Sequence, residues 1–192
     1  RRHSDNAVPP HCPVAQTRQM PAIGKNYSGA AVWSKLRKLL RFMTIYGPGR
    51  TMFKMAGRLR IRISLPTLRR SRPDIGIVGC GQFAFATIGY YLLRAFGRRI
   101  AMCFDIDKAA QHSFQQAFAV AKGARDIDEM LSHEGLKTVY IASNHASHSR
   151  YAVEAIRRGL DVYIEKPISV TVEDLIALLR AMRHSEARAR SR

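Results

Sequence analysis

Acidic residues are nearly absent from the first third of this 192-residue chain. Residues 1–73 hold a single acid, Asp5, against 16 of the 32 lysines and arginines, which gives that segment a net charge of +15. Residues 74–192 hold the other 16 basic residues against 13 acids, for a net +3. The basic excess is therefore a local property of the first third, and it does not indicate the function of the rest.

Cysteine is scarce as well. The three cysteines, Cys12, Cys80 and Cys103, are too few and too scattered for a disulfide framework, and no C-x-x-C pair suggests zinc. Histidines without a neighbouring carboxylate partner do not predict a metal site either. We expect a reducing, cytoplasmic setting. No signal peptide of the usual kind opens the sequence, and its first residue, Arg1, predicts a fragment or a processed product.

The first third divides into two predicted segments. Residues 1–30 show no hydrophobic period and predict a disordered lead-in. Residues 31–73 predict a basic extension whose amphipathic helix, 32–43, is ended by the turn at 46–49. Docking of this helix on a protein is the favoured interpretation, and binding to an anionic membrane surface is the alternative. Nucleic-acid binding is disfavoured because only Trp33 and Tyr46 could stack on bases.

From residue 74 onwards, short apolar runs alternate with helical patterns, as in successive βαβ units. This predicts an α/β domain over 74–183, a doubly wound and mainly parallel sheet of the Rossmann type, followed by a basic tail at 184–192. The five predicted strands are 74–79, 99–105, a short run near 119–122, 138–143 and 161–166.

A glycine-rich turn of the form G-x-G-x-x-A follows the first predicted strand and opens a helix. Gly79 permits the tight turn, Gly81 lets the backbone approach a pyrophosphate, and Ala84 allows close packing of helix on strand. Asp105 ends the next strand and is placed to accept hydrogen bonds from ribose hydroxyls. It would repel a 2′-phosphate, so NAD is favoured over NADP; Asp107 is the competing carboxylate, better explained as a helix cap. The predicted cofactor residues here are Gly79, Gly81, Gln82, Phe83, Ala84 and Asp105.

The same region has a second interpretation, because residues 75–93 carry no charge over a length that could span a bilayer. Gln82 and four glycines lower the hydrophobicity of this run. A membrane span would also remove the first strand of the α/β pattern. The membrane interpretation is therefore disfavoured.

Three features follow one another along this region: the glycine turn, a histidine-bearing loop after the fourth strand, and Glu165-Lys166-Pro167 after the fifth. With these features, residues 143–175 resemble the Gfo/Idh/MocA family of glucose-fructose oxidoreductases and inositol dehydrogenases, and the resemblance extends over roughly 74–183. The resemblance implies that Lys166 lies beside the nicotinamide and the substrate hydroxyl, and makes it the candidate catalytic residue. Glu165 would orient or pair with Lys166, and both join the predicted cofactor site.

The histidine-bearing loop departs from the form that many family members share. Where those read Thr-Pro-Asn, this chain reads Ser143-Asn144-His145, and His148 follows. Because the loop follows a strand on the crevice side of the sheet, we predict that residues 143–145 contact the cofactor and that His148 contacts substrate. The alternative is that His145 caps the next helix and His148 is merely exposed.

The resemblance implies an oxidoreductase that transfers hydride between a nicotinamide cofactor and a hydroxyl of a sugar, sugar nucleotide or cyclitol. Family members continue into a second α/β domain that holds the substrate, and this sequence contains none. We therefore expect a truncated cofactor domain that binds NAD but is inactive alone, so that whether the chain is itself an enzyme stays open. The alternative is a non-catalytic nucleotide-binding or scaffold protein that kept the Rossmann fold.

Overall fold

The computed structural model describes residues 28–59 and 72–191, and these residues divide into two units between Arg37 and Lys38. The helices are α1 (Ser28–Tyr46), α2 (Pro48–Leu59), α3 (Tyr90–Phe96), α4 (Lys108–Phe118), α5 (Ile127–Leu131), α6 (His148–Arg157) and α7 (Val172–Arg183). The strands are β1 (Ile75–Val78), β2 (Ile100–Phe104), β3 (Lys122–Gly123), β4 (Thr138–Ile141), β5 (Asp161–Ile164) and β6 (Ala189–Ser191). A π-helical turn (Ala84–Gly89) precedes α3, and a 3₁₀ turn (His145–Ser147) precedes α6.

The described strands form one parallel sheet in the order β3-β2-β1-β4-β5-β6. The chain runs outwards from β1 to one edge and then from β4 to the other, which confirms the predicted doubly wound α/β fold. The carboxyl ends of β1 and β4 meet at the point where the direction of winding reverses. Ligands bind at this switch point in open sheets of this kind.

The sheet has six strands in the described part of the chain, and the prediction of five was wrong. The sixth, β6, lies within the predicted basic tail and pairs in parallel with β5. It is held by polar contacts, in which the Arg188 N–H donates to Asp161 and the Arg190 guanidinium donates to the Tyr163 hydroxyl. A three-residue strand containing an arginine and a serine has no apolar run to reveal it.

Both faces of the sheet carry a hydrophobic core, as expected for parallel strands between helices. One core packs Val139, Ile141 and Val162 against α6. The other packs Ile77 and Cys103 beneath the π-helical turn, α3 and α4. Cys103 is fully buried, which agrees with a packing role for this thiol.

The uncharged run 75–93 divides among β1, the glycine turn, the π-helical turn and α3. No helix among the described residues is both long and apolar enough to cross a bilayer. The membrane-span interpretation of this run is therefore overturned, because its first residues are a buried strand in the centre of the sheet.

The basic extension contributes two helices to the described residues. The predicted helix 32–43 lies within α1, which ends at Tyr46 before Gly47, whose φ is +83°. Helix α2 was not predicted, and its Phe53 is 1% exposed among Phe85, Tyr90 and Phe118. Part of the extension is thus built into the core of the α/β domain. The remainder of the predicted lead-in and extension, 1–27 and 60–71, lies outside the described residues.

Candidate cofactor site

Gly79 turns the chain where β1 ends. Its φ is +91°, and an added β-carbon would lie 2.5 Å from the backbone of Ala142 and Ser143 at the end of β4. Its N–H donates to the Phe104 carbonyl at 2.8 Å. A positive φ and backbone atoms at that distance both require glycine, and the turn is thereby fixed between β2 and β4.

Gly81 has free space where Gly79 has none, since a β-carbon added to Gly81 would meet no atom within 4 Å. The space above this residue is open, as the approach of a pyrophosphate needs. The helical segment begins immediately, with the Phe85 N–H donating to the Gly81 carbonyl at 3.0 Å, and Ala84 is fully buried. The turn therefore leads directly into a helical segment with open space at Gly81, as a phosphate-binding helix start requires.

Asp105 is bonded directly to the glycine turn. The Cys80 N–H donates to Asp105 Oδ2 at 2.6 Å, and the Asp107 N–H donates to Oδ1 at 2.9 Å. Each carboxylate oxygen keeps a further lone pair for a ribose hydroxyl. Asp107 caps α4 by accepting from the N–H groups of Ala109 and Ala110, so the two carboxylates have the separate positions that the sequence suggested.

Lys108 is a residue of this site that the sequence analysis missed. Its ammonium donates to the carbonyls of Asp105 and Arg125, at 3.2 and 3.1 Å, and to Gln111 Oε1 at 3.1 Å. It ties the loop after β2 to the chain after β3 and fixes the Asp105 backbone. No pattern in the sequence signals such a lysine, because most of its oxygen partners are backbone carbonyls that only the fold brings together.

The loop after β4 is organised by Asn144. The Asn144 side chain caps the 3₁₀ turn by accepting from the Ser147 N–H at 3.1 Å, and the hydroxyls of Ser143 and Ser147 are 2.8 Å apart. His145 is exposed at the carboxyl edge of the sheet. The capping function considered for His145 thus belongs to Asn144, and the His145 ring stays accessible to a ligand.

His148 is buried, with 1% of its surface exposed, rather than merely exposed. Its Nδ1 lies 2.8 Å from the Pro167 carbonyl oxygen and its Nε2 lies 3.1 Å from the Ser143 carbonyl oxygen. Each ring nitrogen thus faces a backbone carbonyl oxygen. This geometry does not favour the predicted substrate contact.

A cavity of about 740 Å³ lies over the second half of the sheet. It brings Phe83 of the glycine turn together with Glu165 and Lys166 after β5. No described residue forms a hydrogen bond or an ion pair with the Lys166 side chain, which is exposed. The ammonium of Lys166 is therefore available to a ligand.

The floor of this cavity contains a tyrosine pair that the sequence analysis missed. The rings of Tyr140 and Tyr163 stack with centroids 4.6 Å apart and planes 6° from parallel. Burial, and then the neighbouring Tyr163, raise the pKa of Tyr140 above its usual value. Tyr140 thus stays a neutral phenol at physiological pH and offers an aromatic surface beside Lys166.

Gln82 is directed away from the turn, since its side-chain amide donates to the Lys54 carbonyl of α2 at 2.9 Å. Helix α2, which the sequence analysis missed, therefore supports the outer side of the predicted phosphate site.

Among the described residues, no group of three His, Cys, Asp or Glu side chains could hold a metal ion.

The family model for Gfo/Idh/MocA proteins, described as "Oxidoreductase family, NAD-binding Rossmann fold", matches residues 74–191. The chain therefore belongs to this oxidoreductase family, and this part of it is an NAD-binding Rossmann domain. The match extends through β6, which agrees with the sixth strand of the sheet.

Curated relatives are similar to part of this chain. Oxidoreductase P35 of Formosa agariphila is 26% identical over 118 residues, which are 62% of this chain and 37% of the relative. Inositol 2-dehydrogenase 2 of Saccharopolyspora erythraea is 29% identical over 111 residues, 56% of this chain and 32% of the relative. The chain thus spans only about a third of the length of these relatives.

Solved structures support the fold. The dehydrogenase WlbA of Chromobacterium violaceum, in complex with NADH and UDP-GlcNAcA, has a TM-score of 0.57 at 21% identity, covering 67% of this chain and 37% of that one. The myo-inositol 2-dehydrogenase of Lactobacillus plantarum has a TM-score of 0.58 at 15% identity, covering 64% and 36%.

Proposed function

We propose that this chain is the cofactor domain of an oxidoreductase that transfers hydride between NAD and a hydroxyl-bearing carbon of a sugar, sugar nucleotide or cyclitol. The observation that carries the proposal is the direct bond from the glycine turn to Asp105, with open space above Gly81. The inositol dehydrogenases among the relatives and the UDP-GlcNAcA complex of WlbA support the substrate class.

Different residues would hold the two halves of the cofactor. Backbone N–H groups of the glycine turn would bind the pyrophosphate, with Gly79 and Gly81 keeping the space open, and Asp105 would accept from the adenosine ribose. A 2′-phosphate would meet the Asp105 carboxylate, while the nearby Lys108 ammonium is occupied by four oxygens of the protein. This charge arrangement favours NAD over NADP.

The nicotinamide half would lie over the loop of residues 143–145 and beside Glu165 and Lys166. When bound, the nicotinamide supplies the hydride acceptor or donor. The Lys166 ammonium would hydrogen-bond the substrate oxygen and stabilise charge that develops there as its proton moves. The cavity beside Lys166, floored by Tyr140 and Tyr163, would admit the ring of a polyhydroxylated substrate.

Activity in a longer form tests this proposal. The described residues include no second domain opposite Lys166 to hold a substrate, so we expect the 192-residue chain to bind NADH with little turnover on sugars, sugar nucleotides or inositols. A form extended to the full length of the relatives should produce NADH, and Lys166→Ala should remove most of that activity. No activity in such a form despite cofactor binding would favour the non-catalytic alternative.

Two further predictions concern the setting of the protein. The prediction of a reducing, cytoplasmic location rests on the small number and wide spacing of the cysteines.

Docking of residues 32–43 on a protein is supported by exposed apolar side chains, with Trp33 74% and Leu40 54% exposed. If vesicles rich in anionic lipid sediment the chain at physiological salt, and Trp33→Ala abolishes this, the membrane-surface alternative replaces protein docking.

A further inference from the structure

We propose that His148 is a positioning residue that ties together the two loops which hold the nicotinamide end of the site. The proposal rests on the proposed function of those loops. It replaces the substrate contact predicted for His148, because the ring is buried and each ring nitrogen faces a backbone carbonyl oxygen.

The geometry joins the loop after β4 to the loop after β5 through a single side chain. His148 Nδ1 faces the Pro167 carbonyl at 2.8 Å, directly after Lys166, and Nε2 faces the Ser143 carbonyl at 3.1 Å. The next residue adds a second tie, since the Ser149 hydroxyl donates to the Ile168 carbonyl at 2.8 Å. The amino-terminal end of α6 thus fixes the backbone on both sides of the predicted nicotinamide site.

The two ring contacts differ in what they require. A carbonyl oxygen only accepts, so each contact is a hydrogen bond when the facing ring nitrogen carries the proton. A neutral imidazole has one N–H, and the shorter distance assigns it to Nδ1 and Pro167. An imidazolium would hold both loops at once. In either form the Pro167 contact is kept, and with it the position of the Lys166 backbone.

This arrangement separates His148 from the adenosine half of the site. The glycine turn and Asp105 are bonded to one another and to α4, and none of the hydrogen bonds at Asp105 involves His148. Loss of the imidazole should therefore lower the affinity for NADH, which contains the nicotinamide half, and leave the affinity for ADP-ribose unchanged. A residue that merely stabilised the core would affect both ligands alike.

Three variants of the full chain test this role. His148→Asn places an amide N–H near the position of Nδ1, His148→Gln places one near Nε2, and His148→Ala removes both. Affinity for NADH and for ADP-ribose is measured by calorimetry for each variant and for the parent chain. We expect His148→Ala to bind NADH about three- to tenfold more weakly, the size of one hydrogen bond, with ADP-ribose affinity unchanged. His148→Asn should recover most of the loss and His148→Gln should not.

The outcomes separate the two proposals. Failure of the parent chain to bind NADH would overturn the proposed function and the positioning role with it. Equal NADH binding by the parent and His148→Ala, or an equal loss of both ligands, would overturn the positioning role alone. If His148→Ala does not fold, the NADH affinities of His148→Asn and His148→Gln are compared instead. Equal NADH affinity in those two variants would contradict the assignment to Pro167.

Discussion

Helix α2 should be an integral part of the α/β domain, and Phe53→Ala tests this. Phe53 is 1% exposed, with its ring centroid 5.0 Å from that of Tyr90 and 6.0 Å from that of Phe118. Truncation of a buried phenylalanine to alanine costs about 3–5 kcal/mol. A domain of 150–250 residues loses about 2–4 °C in Tm per kcal/mol, so we expect Tm to fall by about 6–20 °C.

The assay is thermal unfolding followed by circular dichroism, with Met52→Ala as the matched control. Met52 lies next to Phe53 on the same helix but is 56% exposed, and surface substitutions of this kind change stability by about 0.5 kcal/mol or less. A single cooperative transition shifted only by Phe53→Ala would confirm that α2 unfolds with the sheet. Equal, small shifts in both variants would refute the packing argument.

Three other substitutions probe the site and its surroundings. Gly79→Ala should lower Tm strongly, because its β-carbon would lie 2.5 Å from backbone atoms. Gly81→Val should leave Tm within a few degrees of the parent value but abolish NADH binding measured by calorimetry. A large fall in Tm for Gly81→Val and a small one for Gly79→Ala would contradict the assignment of the two glycines. The hydrogen bond from the Lys122 ammonium, and then those from Arg125, lower the pKa of Glu129 to about 2 from 4.5. The stabilisation of the folded state by ionised Glu129 is present above the pKa of the unfolded state and is lost as the pH falls through the pKa of the folded state. The Tm of the parent chain should therefore exceed that of Glu129→Gln at neutral pH, and this difference should vanish between about pH 4.5 and 2. A difference that persists below pH 2 would refute this cause.

The glycine turn and Asp105 could be predicted from sequence because each carries a local signal. Gly79 and Gly81 have a fixed spacing, and Asp105 ends an apolar strand. The π-helical turn that replaces the first part of the predicted helix, at 84–89, has no such signal, because its residues read as an ordinary apolar helix.

The features missed from sequence depend on contacts between distant segments. Helix α2 carries a basic face that resembles an exposed extension, and only the aromatic cluster of Phe85 and Phe118 shows that Phe53 belongs to the core. Strand β6 is identified by pairing with β5 rather than by composition. The burial of His148 follows from the return of the chain at Pro167, 19 residues later, which no local pattern encodes.

The most direct test of the central claim is a calorimetric titration of the chain with NADH and with NADPH, beside the Asp105→Ser variant. The account predicts tighter binding of NADH by the parent chain, since the ribose carboxylate Asp105 is fixed by the glycine turn. Asp105→Ser should narrow or reverse that preference. Equal or tighter binding of NADPH by the parent chain would contradict the assignment of the site.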